Sequence, residues 1–221
     1  MTETTANLTA QTEEEFQSAM PISGTVETFF GDFELDHSFP SRETADRIYD
    51  LIDHQRAAQL YLWGIPLVGM TRWRVAYEAT YPEFGDNVLV SVTTFNERRG
   101  ILTANESTDY FFGFSDTRDA ATVLVIPDGL MVGMIVDMWQ QGPSDVGIFG
   151  PNAGRGGTHV IVGPNTPASA VPERTDGQLV HHITTDRVFF VLRALGDEDE
   201  VAELVSRIRL YHHGDEPSMT I

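Results

Sequence analysis

Apolar positions along this chain recur at two different spacings, and the change between them falls near residue 87. Ahead of it, Ala45, Ile48, Leu51, Ile52, Ala58, Tyr61 and Leu62 return every third or fourth residue, as one apolar face of a helix does. Ser41, just after Pro40, fits an N-cap, and Glu43 sets a carboxylate in the first turn, where it complements the helix dipole. Gly64-Ile65-Pro66 reads as a stop, because Pro lacks an N–H and crowds the preceding turn. A shorter helix over about 68–77 follows, so the pattern predicts a helical hairpin. Residues 25–35 alternate weakly and read as a first strand. From residue 87 onward the period falls to two. Segments 88–94, 109–114, 122–126, 131–139, 158–163, 179–184 and 188–195 read as strands, separated by turn sequences such as Pro127-Asp128-Gly129, Gly163-Pro164-Asn165 and Asp176-Gly177. Seven short strands at this spacing predict an antiparallel β-sandwich. A last helix over 197–209, with Val201, Leu204, Val205 and Ile208 on one side, is expected to dock on it.

This gives a mainly β protein with α elements in three stretches. Residues 1–20 are an acidic, solvated tail, 21–85 carry the first strand and helical hairpin, and 86–221 form the β-sandwich with its C-terminal helix. At 221 residues the chain is long enough for one sizeable core with a small appendage.

Charge changes the picture more than composition does. Asp and Glu total 33 against 14 basic residues, a formal charge of −19, and every basic residue is Arg. Such a surface repels phosphate backbones and anionic lipid, and the longest basic run is Arg98-Arg99. Nucleic-acid and membrane partners are therefore not expected. Codon bias accounts for missing Lys but not for the acid excess. A salt-rich cytoplasm accounts for the acid excess, since screening lengths there shrink to about 3 Å at molar salt. The segment 1–20 has no basic stretch followed by an apolar one, so it does not read as a secretory signal, and a cytoplasmic, halophilic protein is the expectation. With no Cys, disulfides and thiolate metal sites are excluded.

Candidate chemistry is sparse. His181-His182 are neighbours on a strand and point to opposite faces, so they cannot share a metal. His212-His213 follow the last helix and are expected to be exposed. No metal and no cofactor is expected. The loop from Gly147 to Gly157 is Gly-rich, but it lacks a Lys and leads into a strand, not a helix, so it reads as a β-connection rather than a phosphate cradle. Arg155 could still meet an anion from it. Asp137 shares a strand face with Met131, Gly133, Ile135 and Trp139. A carboxylate there either acts as an acid or base, or ties down the turn N–H groups around Gln140-Gln141-Gly142. Asn105-Glu106-Ser107-Thr108-Asp109-Tyr110 either lines a pocket or forms an ordinary turn into the next strand. Candidate catalytic residues are thus Asp137, Tyr110 and His182, and candidate ligand contacts are Asn105, Asp109, Trp139 and Arg155.

In order and spacing, several short pieces resemble the DUF1254 family, a domain of unknown function that is usually followed by a DUF1214 companion domain. They are Glu43-Thr44-Ala45, Tyr61-Leu62-Trp63, Leu102-Thr103-Ala104-Asn105, Asp137 with Trp139-Gln140, Asp145-Val146-Gly147, the Gly150-Pro151-Asn152 to Gly156-Gly157 loop, and Ile208-Arg209-Leu210-Tyr211. The resemblance runs from about residue 25 to 211. It implies a helical segment with an immunoglobulin-like sandwich and no established activity. No companion domain follows within these 221 residues, and His182-Ile183-Thr184-Thr185-Asp186 stands where relatives tend to read Arg-Ser-Pro-Thr-Asn. Two functions follow as expectations. One is a binding or assembly module that pairs with a separate companion or with itself, with room for a small-molecule ligand. The other is a hydrolase-like enzyme acting on a small organic substrate through Asp137 with Tyr110 or His182.

Overall fold

The computed structural model describes residues 22–93, 96 and 104–218; the expected tail and the Arg98-Arg99 pair lie outside them. Two units meet between Trp63 and Gly64. In the first, strands β1 (Gly24–Thr28), β2 (Gly31–Asp36) and β3 (Phe39–Pro40) form an antiparallel meander where the pattern predicted one strand. Helix α1 (Arg42–Thr80) begins here. Ser41 Oγ caps it by accepting from the Thr44 N–H at 3.2 Å, as its position predicted. Arg47 ties the helix to the meander by donating to the Asp32 and Phe30 carbonyls at 2.8 and 3.3 Å.

The helical hairpin is corrected. α1 runs unbroken for 39 residues, through Gly64 and Pro66. Proline in a helix interior costs roughly 3 kcal/mol, which local sequence alone does not repay. Packing does: beyond the proline, Leu67, Met70, Trp73 and Tyr77 present a stripe at helical spacing to the five-stranded sheet.

The second unit holds two sheets. One has strand order β4 (Val88–Val92), β5 (Tyr110–Asp116), β11 (Arg187–Ala194), β7 (Met131–Asp137), β8 (Ser144–Gly147), all antiparallel. The other has β10 (Gln178–His182), β9 (Arg155–Val162), β6 (Thr122–Asp128), β12 (Arg209–His212). The β9–β10 pair is parallel, unlike the all-antiparallel expectation, because the irregular stretch with a 3-10 turn at Ala168–Ala170 carries the chain back to start β10 beside the same end of β9. Four-residue strands β8 and β12 escaped the pattern; the expected end of the last helix at 209 is β12 instead. That helix, α2 (Glu198–Ser206), has a capping box in which Asp197 and Glu200 satisfy each other's backbone N–H groups. The mainly β fold is as expected, with one helix ahead of β4 and another between β11 and β12.

Two apolar layers result. Leu89, Leu124, Ile126, Met131, Ile135, Ile161, Phe190 and Leu192 fill one cluster, closed at one side by Leu204 and Val205 of α2. Phe112, Phe114, Val136, Met138 and Phe189 form the other, against α1 residues Met70, Trp73 and Tyr77. The rings of Trp73 and Phe112, Trp73 and Phe189, and Phe114 and Phe189 each stand 4.9 Å apart. The five-stranded sheet is thus covered on both faces, and every residue of β5 is buried. Burial on both faces explains why its sequence, Tyr110-Phe111-Phe112-Gly113-Phe114, shows no polar alternation.

Candidate functional site

A cleft of about 360 Å³ lies where the turn before β5 meets the start of α2. Ser91, Ser107, Thr108 and Asp109 line it together with Asp197 and Glu198, over apolar residues Phe111, Val201 and Val205. Asp109 thus lines this cleft. Asn105 and Tyr110 build the turn behind it. Asn105 Oδ1 accepts from the Ser107 and Thr108 N–H groups at 3.0 Å each and from their hydroxyls at 3.2 and 3.1 Å. Tyr110 Oη accepts from the Asn105 backbone and side-chain N–H groups at 3.2 Å each. Arg193 stacks its guanidinium 5.3 Å from the Tyr110 ring centre and donates through Nε to Thr108 Oγ1 at 2.9 Å. Among the described lining residues no His or Lys stands beside Ser91, Ser107 or Thr108.

Asp137 lies elsewhere. It ends β7 opposite Val188, whereas Tyr110 stands one residue beyond the Leu192–Phe111 pair. At a rise of about 3.4 Å per residue, five residues of β11 set them roughly 17 Å apart along the strand direction, on strands that flank β11 on opposite sides. Asp137 is 1% exposed. Its Oδ1 accepts from the Trp139 and Gln141 N–H groups at 2.9 and 3.0 Å, and its Oδ2 from the Thr184 hydroxyl and, at 3.4 Å, the Thr184 N–H. The next residue is held too, since the Met138 N–H donates to Thr185 Oγ1 at 3.1 Å. This carboxylate fastens the turn after β7 to the turn between β10 and β11, so that His182-to-Asp186 segment serves the join of the two sheets. Trp139 is half-buried within the same turn. His182 is exposed on β10, on the other sheet. Asp137, Tyr110 and His182 do not come together.

The Gly-rich loop folds tightly on itself. Gly147, Gly154 and Gly156 take positive φ, and a Cβ at Gly147 would fall 2.0 Å from the Met131 carbonyl oxygen. Asn152 Nδ2 donates across the loop to the Gly156 carbonyl at 2.7 Å. Arg155 opens β9, exposed and opposite Asp128.

Sequence reasoning missed a histidine pair. His159 Nδ1 and His181 Nε2 stand 2.9 Å apart with rings stacked at 5.2 Å, both facing inward from the parallel β9–β10 pair. Burial, and then the neighbouring His181, push His159 down to about 4, and burial followed by His182 also lowers His181. His159 follows Thr158 on a strand whose inward positions are otherwise apolar, a signal that an inward polar residue needs a partner. His212, expected to be exposed, sits half-buried on β12, with Nε2 2.8 Å from the Asp116 carbonyl and 3.3 Å from Ser115 Oγ. Among the described residues no three metal-ligating side chains gather, and no helix there is long and apolar enough to cross a membrane.

Residues 87–212 match the family model described as a protein of unknown function (DUF1254). This chain belongs to the DUF1254 family. The matched stretch takes in β4 to β12 with α2, and every candidate residue from Asn105 to His182 lies inside it. It is narrower than the 25–211 resemblance, because the first unit and α1 precede it. Among curated proteins none matches this DUF1254 chain. Among solved structures it is similar to the VPA0106 protein from Vibrio parahaemolyticus, with a TM-score of 0.49 and 14% identity over 73% of this chain and 40% of that one. The chain thus spans well under half the length of that protein.

Proposed function

We propose that this DUF1254 chain is an assembly module, and that a companion polypeptide packs around the exposed part of helix α1. One observation carries this reading. In the first unit no hydrophobic side chain among the described residues is buried, yet Leu60, Tyr61, Leu62 and Trp63 are 63–72% exposed on four consecutive positions of a helix. At 100° per residue these four side chains point around nearly the whole circumference. An exposed apolar girdle of this kind marks an interaction site. Phe29, Phe30 and Phe39 of the meander add further exposed apolar surface in the same unit.

The occupant follows from geometry and charge. A second copy pairing helix to helix covers one side of the girdle and leaves the rest in water. It also brings together two chains of −19 charge. A companion with a groove covers all sides, and the resemblance to two-domain relatives supplies one of suitable kind. The distribution of Asp137, Tyr110 and His182 over separate places gives no support to an enzyme reading.

Light scattering after gel filtration tests the proposal. Mixed with a DUF1214-type companion protein, the chain is expected to elute as a one-to-one complex, and Tyr61→Glu or Leu62→Glu to abolish it while leaving the circular dichroism spectrum unchanged. A dimer of the chain alone that Leu62→Glu disperses, or no complex at all, counts against it.

A further inference from the structure

A second cleft, of about 350 Å³, gathers cations in a chain that has few. Arg74 of α1, Arg118 of the turn after β5 and Arg187 at the start of β11 all line it, with Leu67, Met138 and Thr71 beside them. Three of 14 arginines thus meet at one place on a protein that carries 33 acids. The only carboxylate among its described lining residues is Asp186, which accepts from the Asn165 side-chain amide at 3.0 Å.

The arginines are held from behind. Asp116, buried, receives Arg118 Nη2 at 2.5 Å and Arg187 Nη2 at 2.8 Å. The Arg118 hydrogen bond, with help from the Arg187 charge, keeps the Asp116 carboxyl below the usual carboxylate range despite its burial. Asp86 receives Arg187 Nη1 at 2.9 Å, and Glu78 receives Arg74. None of these three carboxylates lines the cleft. They fix the guanidinium forks in place, and a guanidinium has five N–H donors, more than one carboxylate takes up. Arg74 shows the surplus directly: its Nε–H is buried with no acceptor. A buried donor in that state calls for a bound water or anion nearby. Leu67 and Met138 meanwhile give the cleft an apolar wall, which inorganic anions do not need.

We propose that this cleft binds a small organic carboxylate, with its charged end on Arg74, Arg118 and Arg187 and a short apolar tail against Leu67 and Met138. Ordered guanidiniums lower the entropic cost of capture, and the surrounding negative surface restricts the site to small ligands that fit within it. The site is independent of the α1 girdle, and neither proposal needs the other.

Calorimetric titration with butyrate at constant ionic strength tests it, with butyramide as the neutral isostere. Butyrate is expected to bind saturably with a dissociation constant on the order of 1 mM, and butyramide not to bind. Thr71→Glu sets a carboxylate at an exposed position of the lining without touching the core and is expected to weaken butyrate at least about tenfold. Arg118→Ala is expected to do the same, and it leaves Asp116 paired with Arg187. Equal binding of butyramide, butyrate binding indifferent to Thr71→Glu in a folded variant, or no saturation by about 50 mM overturns the proposal.

Discussion

At Asp137 a buried carboxylate accepts four hydrogen bonds from two turns, and its worth is structural. Asp137→Ala strands the Trp139 and Gln141 N–H groups and is expected to lower stability by about 3 kcal/mol in urea unfolding. An effect under about 0.5 kcal/mol contradicts that role. This function was half legible: Gln140-Gln141-Gly142 follows at turn spacing, so a capping carboxylate was one of two readings. The partner Thr184 was not legible, because it comes from a turn 47 residues away. The His159–His181 pair was hidden for a similar reason, since it depends on β9 and β10 lying side by side in parallel. It carries a pH dependence with a definite sign. Both rings are neutral in the fold and bind protons more readily once unfolded, where the ordinary value is 6.5. Their contribution is complete above pH 6.5 and is lost as pH falls below it; for His159 the loss runs down to about 4 and amounts to roughly 3 kcal/mol. Urea melts between pH 7 and 4.5 are expected to show this slope and His159→Gln to flatten it. An unchanged slope in the variant contradicts it. Asp116 adds a further loss only below the ordinary carboxylate value of 3.8.

Among elements, α1 shows where local pattern and tertiary packing part company. The cap at Ser41 and the apolar spacing to Leu62 were readable. The continuation through Pro66 was not, because what offsets the proline is an aromatic layer assembled from β5 and β11, far along the chain. Burial on both faces also accounts for the apolar residues on both sides of the segment 131–138: Val136 and Met138 sit under α1, while Met131 and Ile135 lie between the sheets. Trp73 is the keystone of the α1 contact, with ring neighbours Tyr77, Phe112, Phe114 and Phe189. Trp73→Ala is expected to cost about 3–5 kcal/mol and to lower the protection of α1 amides beyond Pro66 in hydrogen exchange. A loss below about 1 kcal/mol contradicts the packing described. Strands β8 and β12, four residues each, carry too little alternation to stand out from the turns around them.

For the molecule as a whole, the charge of −19 and the exposed apolar girdle pull in opposite directions. Dense negative charge keeps chains apart, and the girdle, on the assembly proposal, would draw one in. Concentrated salt weakens the first and strengthens the second. The salt-rich solvent expected from the sequence therefore has a direct check: thermal melts across a KCl series should rise steeply toward molar salt, and a flat series contradicts it. The strand-rich second unit was broadly legible because its elements follow period-two patterning. The proposed role of the first unit was not legible, since an interface completed by another polypeptide would leave no partner residues in this sequence. Hydrogen exchange across residues 54–63 of α1, with and without a DUF1214-type companion protein, tests the assembly reading most directly. Amides there are expected to exchange fast in the chain alone and to gain protection of about tenfold or more on mixing, with Leu62→Glu removing the gain. Unchanged exchange over 54–63 in the presence of a companion that binds elsewhere contradicts it.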